Sequence, residues 1–590
     1  MAENLMKDLL LDQVLVSDGF MVDFAVGTTY SLDMETLLAV PLTMGLMGDA
    51  GEGNVATHVL MEAIRASADK FAVFCNAGCI AVPRKNSRVF SLLENCVNQV
   101  TLPAQGKGFV NFHPKVWIVK QTNPEIGITR LKVSVMSRNL TSSSDMDAVC
   151  VLEGTVRRGM ASEESLKKHK PLRDFIIWLA NQPKISKRRE IIQLAEALDH
   201  VEEFELDDKR FDSYDFYPIG ISEEYNGMSS CLQIPEFAKY VNQAIVISPF
   251  IDEPILRLLA RPGLNGEKTL ITRQEYVNQE ILEMFNDGVY AVKDTLKEEA
   301  EGARPLDLHM KMYFINARGW NYLYLGSANA TRNAFNRNVE FMLGLRFRPN
   351  QYSYRKFREE FIYDRRDCRF EQLTTPASVA EEPTSNEEEM IIRKVASSIY
   401  SAKASRNDDG TFRVKITHKK LRSDRPIFLS PLQAEGKKSQ LEEFETTFDG
   451  MRLVELSDFY IVSVGEMSRI ISIPTSGIPT EERDTAIFRS FIDTKEKFLN
   501  YLNFMLAEDK EEYLGEMAAT EEINESLDIR KDEDMSSGLY ETMLRLAYSN
   551  PTRIKDIARI MDKVDPSVVP EGFTCLYSQF ENAIKHLPKP

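Results

Sequence analysis

His113-Pro114-Lys115-Val116-Trp117-Ile118-Val119, with Ser137-Arg138-Asn139-Leu140-Thr141 and Asp147 behind it, returns as His309-Met310-Lys311-Met312-Tyr313-Phe314-Ile315, with Gly326-Ser327-Ala328-Asn329-Ala330-Thr331 and Glu340 behind it. In each copy the lysine opens an apolar run that reads as a strand. Residues i and i+2 of a strand face the same side, so each histidine and its lysine enter one space. Phosphoryl chemistry uses such a grouping. An imidazole attacks phosphorus or delivers a proton, an ammonium holds the non-bridging oxygens, and a serine hydroxyl and an asparagine amide at the next strand's end add neutral donors. His-x-Lys alone is a weak signal, because His418-Lys419-Lys420 has it too. With no Ser-x-Asn behind it, that third copy reads as an exposed strand without a role. The whole string occurring twice is what predicts two half-sites sharing one pocket across a pseudo-twofold axis.

Outward from these strings the pattern is α/β, and it repeats. Residues 1–160 read as a first repeat, with strands at Asp23 to Thr28 and Phe71 to Cys75, a helix after Asp33, and strands near Val116 and Val133. Residues 161–240 read as a helical connection, since Leu172, Phe175, Ile176 and Leu179, then Ile191, Leu194, Ala195 and Leu198, recur at helical spacing. Between them Pro183-Lys184-Ile185-Ser186-Lys187-Arg188-Arg189 reads as a solvated turn. Residues 241–370 read as a second repeat, where Ile247-Ser248-Pro249-Phe250-Ile251-Asp252 ends a strand much as Thr28-Thr29-Tyr30-Ser31-Leu32-Asp33 does. Positions 113 and 309 are too far apart for a solenoid and suit a duplicated domain.

Residues 371–390, with Glu381-Glu382-Pro383 and Glu387-Glu388-Glu389, read as an acidic linker. Residues 391–480 read as β-rich and 481–590 as helical, with a capping-box spacing from Asp493 to Glu496. The stretch 508–534 is crowded with acids and reads as a solvated face. The region beyond 390 holds too many periodic apolar segments to be a tail, and is expected to fold separately and to serve recruitment or control.

The chain of 590 residues is 43% hydrophobic and 27% charged, a globular composition with room for several cores. Its net charge of −17 argues against binding nucleic acid by bulk positive surface, and leaves a local basic groove as the alternative. No stretch is apolar over the ~20 residues of a membrane span, and Met1-Ala2-Glu3-Asn4-Leu5-Met6-Lys7-Asp8 lacks a signal-peptide pattern. A cytoplasmic location and no membrane partner are expected. Seven cysteines without paired spacing suggest reduced thiols, and Cys75 and Cys79 read as buried thiols rather than metal ligands.

Residues 20 to 350 resemble the phospholipase D superfamily, whose members build one site from two His-x-Lys repeats. Gly326-Ser327-Ala328-Asn329 followed by Asn338-Val339-Glu340 carries the likeness best. The family commonly places Asp five residues after the lysine. Lys120 and Asn316 stand there in this chain, a departure that resembles the nuclease and tyrosyl-DNA phosphodiesterase branches more than the lipid-hydrolysing one. The resemblance implies an α/β fold with two phospholipase D-like repeats forming one pseudo-twofold site, plus a C-terminal α+β to helical region. It implies His113, Lys115, Asn139, His309, Lys311, Asn329 and Glu340 as catalytic residues, and Ser137, Ser327 and Asp147 as substrate-binding ones. An acid further along is implied to fix the catalytic histidine; Glu340 matches that place, while Asp147 matches by order only and competes with Asp145. His113 is implied as nucleophile, through a phosphohistidine, and His309 as acid, with no metal and no cofactor.

Beyond 390, Tyr540-Glu541-Thr542-Met543-Leu544 and the segment from Pro551 to Ile560 look similar to C-terminal parts of bacterial phospholipase D-like proteins that accompany helicases in phage-defence loci. The expectation is a metal-independent phosphodiesterase of nucleic acid, DNA rather than RNA, with a helicase or other defence protein as partner. Two alternatives stand beside it: a phospholipase or phospholipid transferase, and a non-catalytic module that binds nucleic acid or a partner. No amphipathic membrane-binding helix or polybasic run supports the lipid reading. Intact histidines and lysines in both halves argue against the non-catalytic one.

Overall fold

The computed structural model describes residues 16–46, 64–103, 109–226, 241–293, 307–377, 387–506 and, in part, 543–586, with short gaps inside several of these spans. Met1 to Asp8, the acidic stretch 508–534, Tyr540 to Thr542 and most of 551–560 lie outside the described residues. The strands of the first half are β1 (Met21–Thr29), β2 (Leu32–Asp33), β3 (Phe71–Asn76), β4 (Ile80–Ala81), β5 (Val97–Val100), β6 (Val116–Asn123), β7 (Ile128–Met136), β8 (Val149–Thr155) and β9 (Glu205–Leu206). Those of the second are β10 (Ser213–Ile219), β11 (Val241–Ile247), β12 (Lys268–Ile271), β13 (Val289–Val292), β14 (Met312–Ala317), β15 (Trp320–Gly326), β16 (Glu340–Phe347) and β17 (Phe370–Leu373). The fold is mixed α/β.

Two sheets carry the duplication. The first runs β5-β3-β1-β6-β7-β8-β9 and the second β10-β16-β15-β14-β11-β12-β13-β17, so six strands of one follow the same order as six of the other. The sense of pairing agrees as well. β1 is parallel to β3 and antiparallel to β6, β11 is parallel to β12 and antiparallel to β14, and both antiparallel pairs are irregular near the start, between Val22 and Phe24 and between Val241 and Gln243. β3, with every residue buried, is the continuous apolar run expected of a strand covered on both faces. One apolar layer joins Val26, Phe74, Ile118 and Val133 of the first sheet to Ile245, Phe314, Leu323 and Leu343 of the second. Phe175, Ile176 and Leu179 of the helix Glu163–Ala180 lie in the same layer.

The connection 161–240 is less helical than its first part suggests. After the helices Glu163–Ala180 and Arg188–Leu198 it supplies β9 and β10 as edge strands, and β10 shows why: Tyr214 and Phe216 alternate with Ser213 and Asp215 at period two, burying one face. The turn between the helices is not merely solvated, since Lys187 Nζ donates to Phe71 O at 2.9 Å and also to Ala68 O. Of the stretch 371–390, residues 371–373 belong to β17 and residues 387–390 open the helix Glu387–Ala396.

Beyond 390 lie β18 (Tyr400–Arg406), β19 (Phe412–His418), β20 (Ile427–Pro431), β21 (Ser439–Gln440), β22 (Glu445–Met451), β23 (Phe459–Val464), β24 (Met467–Ser472) and β25 (Thr475–Ser476). They form a four-stranded sheet, β22-β19-β18-β25, and part of a six-stranded one, β2-β4-β24-β23-β20-β21. Because β2 and β4 come from the first half, this region does not fold as the separate body the sequence suggests. Leu432, Ile470, Phe488 and Tyr501 share an apolar layer with Leu32, Val73, Ile80 and Phe90. Arg483 reaches Glu94 at 2.8 Å with both side chains buried. His418 also departs from expectation: it is buried at the end of β19, and its Nδ1 lies 2.9 Å from Lys419 O.

Candidate active site

The same short segments build both halves of the site. At the end of β1, Thr29 Oγ1 donates to Ser31 O (2.7 Å) and accepts from Leu140 N (2.9 Å). At the end of β11, Ser248 Oγ donates to Phe250 O (2.7 Å) and accepts from Ala330 N (2.9 Å). A hydroxyl residue at each strand end thus pins the loop that carries Asn139 or Asn329. Gly326 ends β15 with φ +151, and a Cβ there would stand 2.3 Å from Phe341 O, so only glycine lets Ser327 approach β16 this closely.

The two halves are stitched to each other at the two histidines. Phe112 bridges Val339, with His113 N donating to Val339 O at 2.9 Å. Met146 bridges Leu308, with His309 N donating to Met146 O at 3.1 Å. Each histidine therefore sits beside the acid of the opposite repeat. His113 Nδ1 lies 2.8 Å from Glu340 Oε2, and His309 Nδ1 lies 2.8 Å from Asp147 Oδ1. A carboxylate at Nδ1 makes that nitrogen the N–H and leaves Nε2 to meet a substrate. The imidazoles keep 13% and 17% of their side-chain surface exposed, whereas the carboxylates keep 0% and 4%, so the approach is to the rings.

Lys115 and Lys311 are fully buried, and each Nζ donates to the carbonyl of its own histidine, Lys115 at 3.0 Å. Each bears on the other half: Lys311 depresses both Lys115 and His113, and Lys115 depresses His309. The two half-sites are one electrostatic unit. Burial, opposed by Glu340 and reinforced by Lys115, pulls the His113 imidazole down to about 4. Burial, reinforced by Lys311 and opposed by Asp147, pulls His309 down to about 3. Lys311 is brought down to about 8 by burial against the pull of Asp147 and Glu340, and Lys115 falls well below the usual lysine range by burial and then by Lys311. Burial pushes Asp147 upward, but the hydrogen bond and charge of His309 outweigh it and leave the carboxyl below its ordinary value.

Three residues expected to bind substrate do otherwise. Asp147 is taken up by His309, which also decides between it and Asp145 as the orienting acid. Ser137 Oγ donates to Asp147 Oδ1 at 2.8 Å, and Ser327 Oγ donates to Glu340 Oε2; both serines are fully buried behind the carboxylates. Their hydroxyls hold the acids. Asn139 Oδ1 accepts from Tyr30 N at 3.4 Å, while Asn329 Oδ1 is buried without a hydrogen-bond partner among the described residues.

Asn338, which the sequence offers only as part of the family string and with no role, is buried, and its Nδ2 donates to Glu340 Oε1 at 3.1 Å. Tyr30, quoted there only within a strand end, places its ring edge-on to that of His113 at 5.1 Å. The matched strand ends Thr28 to Asp33 and Ile247 to Asp252 were the signal for Tyr30, since they place it directly after a pinning hydroxyl. With both carboxylates engaged by imidazoles, the arrangement offers two neutral, partly exposed rings with two buried lysines beside them. That set suits attack on a phosphoryl centre.

No family model matches the chain, and no curated protein does. Among solved structures it is similar to polyphosphate kinase from Porphyromonas gingivalis, at 12% identity and a TM-score of 0.34 over 65% of this chain and 50% of that one, so it spans half the length of that enzyme. It is also similar to phosphatidylserine synthase from Haemophilus influenzae Rd KW20, at 12% identity and a TM-score of 0.32 over 63% and 87% of the two chains. NucT from Helicobacter pylori is similar at 18% identity and a TM-score of 0.20 over 26% and 93%.

Proposed function

We propose that the protein is a phosphodiesterase of the phospholipase D type that cleaves nucleic acid, DNA before RNA, in the cytoplasm as part of a defence system with a helicase-like partner. The observation that supports it most is the exchange of acids: each imidazole is held at Nδ1 by the carboxylate of the other repeat, which leaves both Nε2 atoms for substrate, and the lysine of each half bears electrostatically on the histidine of the other.

In this reading Nε2 of His113 attacks phosphorus, the new P–N bond forms as the P–O bond to the leaving strand breaks, and His309 gives its Nε2 proton to the departing oxygen. The ring of His113 then carries positive charge, which Glu340 balances at Nδ1. Water next attacks phosphorus, His309 takes its proton back from that water, and the P–N bond breaks to free His113. Lys115 and Lys311 neutralise the equatorial oxygens throughout, the role a cation fills in other phosphoryl-transfer sites. His309 takes its Nε2 proton from solvent as substrate binds, because an entering phosphodiester anion favours the charged imidazole against the burial and the two lysines that depress it.

The test is incubation of the full chain with labelled single- and double-stranded DNA, RNA and phosphatidylcholine vesicles, with and without a chelator. Cleavage of DNA that a chelator leaves intact, with an acid-labile, base-stable phosphoprotein absent from His113→Ala, is expected. Turnover of phosphatidylcholine alone would replace the nuclease reading with a lipid one, and DNA cleavage that needs added magnesium would overturn the mechanism.

A further inference from the structure

Arg393 lies in none of the motifs and comes from the far side of the acidic stretch. It sits on the helix Glu387–Ala396, whose Ile392 and Val395 are packed in the C-terminal β core. The same helix meets the first half at Gly78, where φ is +78 and a Cβ would stand 3.3 Å from Ala396 Cβ and 3.5 Å from Arg393 Cα. From there the guanidinium enters the site's wall with 12% of its side chain exposed.

Two routes run from it to His113. In one, Arg393 Nη2 donates to Tyr30 Oη, and the Tyr30 ring meets the His113 ring at 5.1 Å. In the other, Nη1 donates to Asn111 Oδ1 at 2.8 Å and Asn111 N donates to Asn338 Oδ1 at 3.2 Å. Asn338 Nδ2 then donates to Glu340 Oε1 at 3.1 Å, and Glu340 Oε2 holds His113 Nδ1. Both ends of the imidazole's surroundings are thus fixed by one cation.

The second half has its own version. Asp307 precedes His309 by two residues as Asn111 precedes His113, and Arg273 Nη2 lies 2.7 Å from Asp307 Oδ2. Arg273 also stacks over Phe250 at 4.8 Å, as Arg393 does over Tyr30 at 5.6 Å. Arg273 stands just past the end of β12. The pairing of β1 with β3 and of β11 with β12 sets Asn76 at the matching place in the first half, where its Oδ1 accepts from Phe112 N at 2.9 Å and its Nδ2 donates to Ala77 O and Cys79 Sγ, each at 3.2 Å. The repeat that lacks the arginine receives one from the C-terminal region.

We propose that Arg393 is a positioning residue for His113, supplied in cis by the C-terminal region to complete the half-site that Arg273 completes in the other repeat. Anything that moves the helix Glu387–Ala396 then acts on His113 and leaves His309 in place. The proposal rests on the phosphodiesterase reading only for its effect on turnover; the effect on the imidazole stands without it.

The test therefore uses two readouts on the full chain, with Arg393→Met, Arg393→Lys and the mirror variant Arg273→Met. With 15N-labelled histidine, the Nδ1–H resonance of His113 is expected to move in Arg393→Met while that of His309 stays, and the reverse in Arg273→Met. On bis(p-nitrophenyl) phosphate, kcat of Arg393→Met is expected to fall by ~10- to 100-fold with KM within twofold, the size seen when partners of a functional histidine are removed. Arg393→Lys, which keeps the charge and one donor, is expected to recover part of both. Equal movement of both histidine resonances would mean that Arg393 only stabilises the fold, and an unmoved His113 with unchanged kcat would mean that it does nothing; either result overturns the proposal. If Arg393→Met does not fold, Arg393→Lys decides by the same two comparisons. A selective shift of His113 in a protein that turns over no phosphodiester would retain the positioning role and defeat the functional reading.

Discussion

The two half-sites have the same parts and hold them differently. Glu340 uses both oxygens, Oε2 for His113 and Ser327, Oε1 for Asn338. Asp147 puts His309 and Ser137 on Oδ1 alone and leaves Oδ2 buried without a partner. The cation behind His113, Arg393, comes from beyond 390, whereas the one matched to it behind His309, Arg273, comes from the repeat that carries His309. Duplication explains the shared parts; the differences show where the two imidazoles are free to take different tasks.

The strongest way to break this comparison is to remove each imidazole. His113→Ala and His309→Ala are both expected to lose at least ~10³-fold in kcat on an ordinary phosphodiester, as nucleophile and acid act as a unit. An ester with a p-nitrophenolate leaving group needs no proton, so on it His309→Ala is expected to recover and His113→Ala is not. Recovery by the His113 variant instead would exchange the two roles, and retention of turnover by either on the ordinary ester would end the two-histidine mechanism.

The carboxylates sharpen it next. In Glu340→Gln one end of the new amide must oppose either the Asn338 amide or the donors at Oε2, so a donor meets a donor in a buried place. In Asp147→Asn the amide nitrogen has the unpartnered Oδ2 position to occupy, and Oδ1 still accepts from His309. The expected losses are ~100-fold for the first and ~10-fold for the second, read as kcat on one substrate. Equal losses would mean that the two acids are interchangeable and the asymmetry has no consequence.

How much of this was legible follows from range. His113, Lys115, His309 and Lys311 stand out because residues two apart on a strand share a face, a rule that needs no tertiary knowledge. Glu340 and Asp147 are visible as acids in the right order, but which histidine each serves is not, because the exchange depends on the bridges Phe112 to Val339 and Met146 to Leu308, which join segments far apart in the chain. Ser137 and Ser327 were read as phosphate donors because a hydroxyl's partner is set by what lies behind it. Arg393 had no local signal at all, being one of two basic residues in the last turn of a short helix. The C-terminal region looked separate for a similar reason: β2 and β4 are two-residue strands, too short for any periodicity, yet they carry its sheet into the first half.

That junction allows a comparison of bodies rather than half-sites. Arg483 reaches across to Glu94, whose carboxylate also accepts from Ser457 Oγ and Asp458 N at 2.7 Å. Arg483→Met leaves that carboxylate buried without its cation, a change that costs about 3–5 kcal/mol in comparable sites. Chemical denaturation of the full chain is expected to show that loss with cooperative unfolding of both regions. A variant of unchanged stability, or a first transition confined to the C-terminal region, would restore the picture of two independent bodies.

The smallest effect concerns the lysines, and its sign follows from which form works. Lys311 must be charged to hold an equatorial oxygen, and burial brings its proton loss down to about 8 in the free protein. Raising the pH through that value removes the charge, so kcat/KM is expected to fall by about fivefold between pH 8 and 9, the change in protonated fraction for a group titrating at the lower of those values. The need for a protonated His309, neutral in the free protein far above about 3, adds a uniform slope on both sides of pH 8, so the fivefold is the extra fall that sets in there. Lys311→Arg keeps its charge across this range, since a guanidinium does not deprotonate in proteins. Its planar fork fits the site less well and lowers the rate throughout, but the extra fall above pH 8 is expected to disappear. An extra fall that persists in Lys311→Arg would assign the limb to Lys115, the other ammonium that burial depresses, and would make the first half-site the one that sets the working pH.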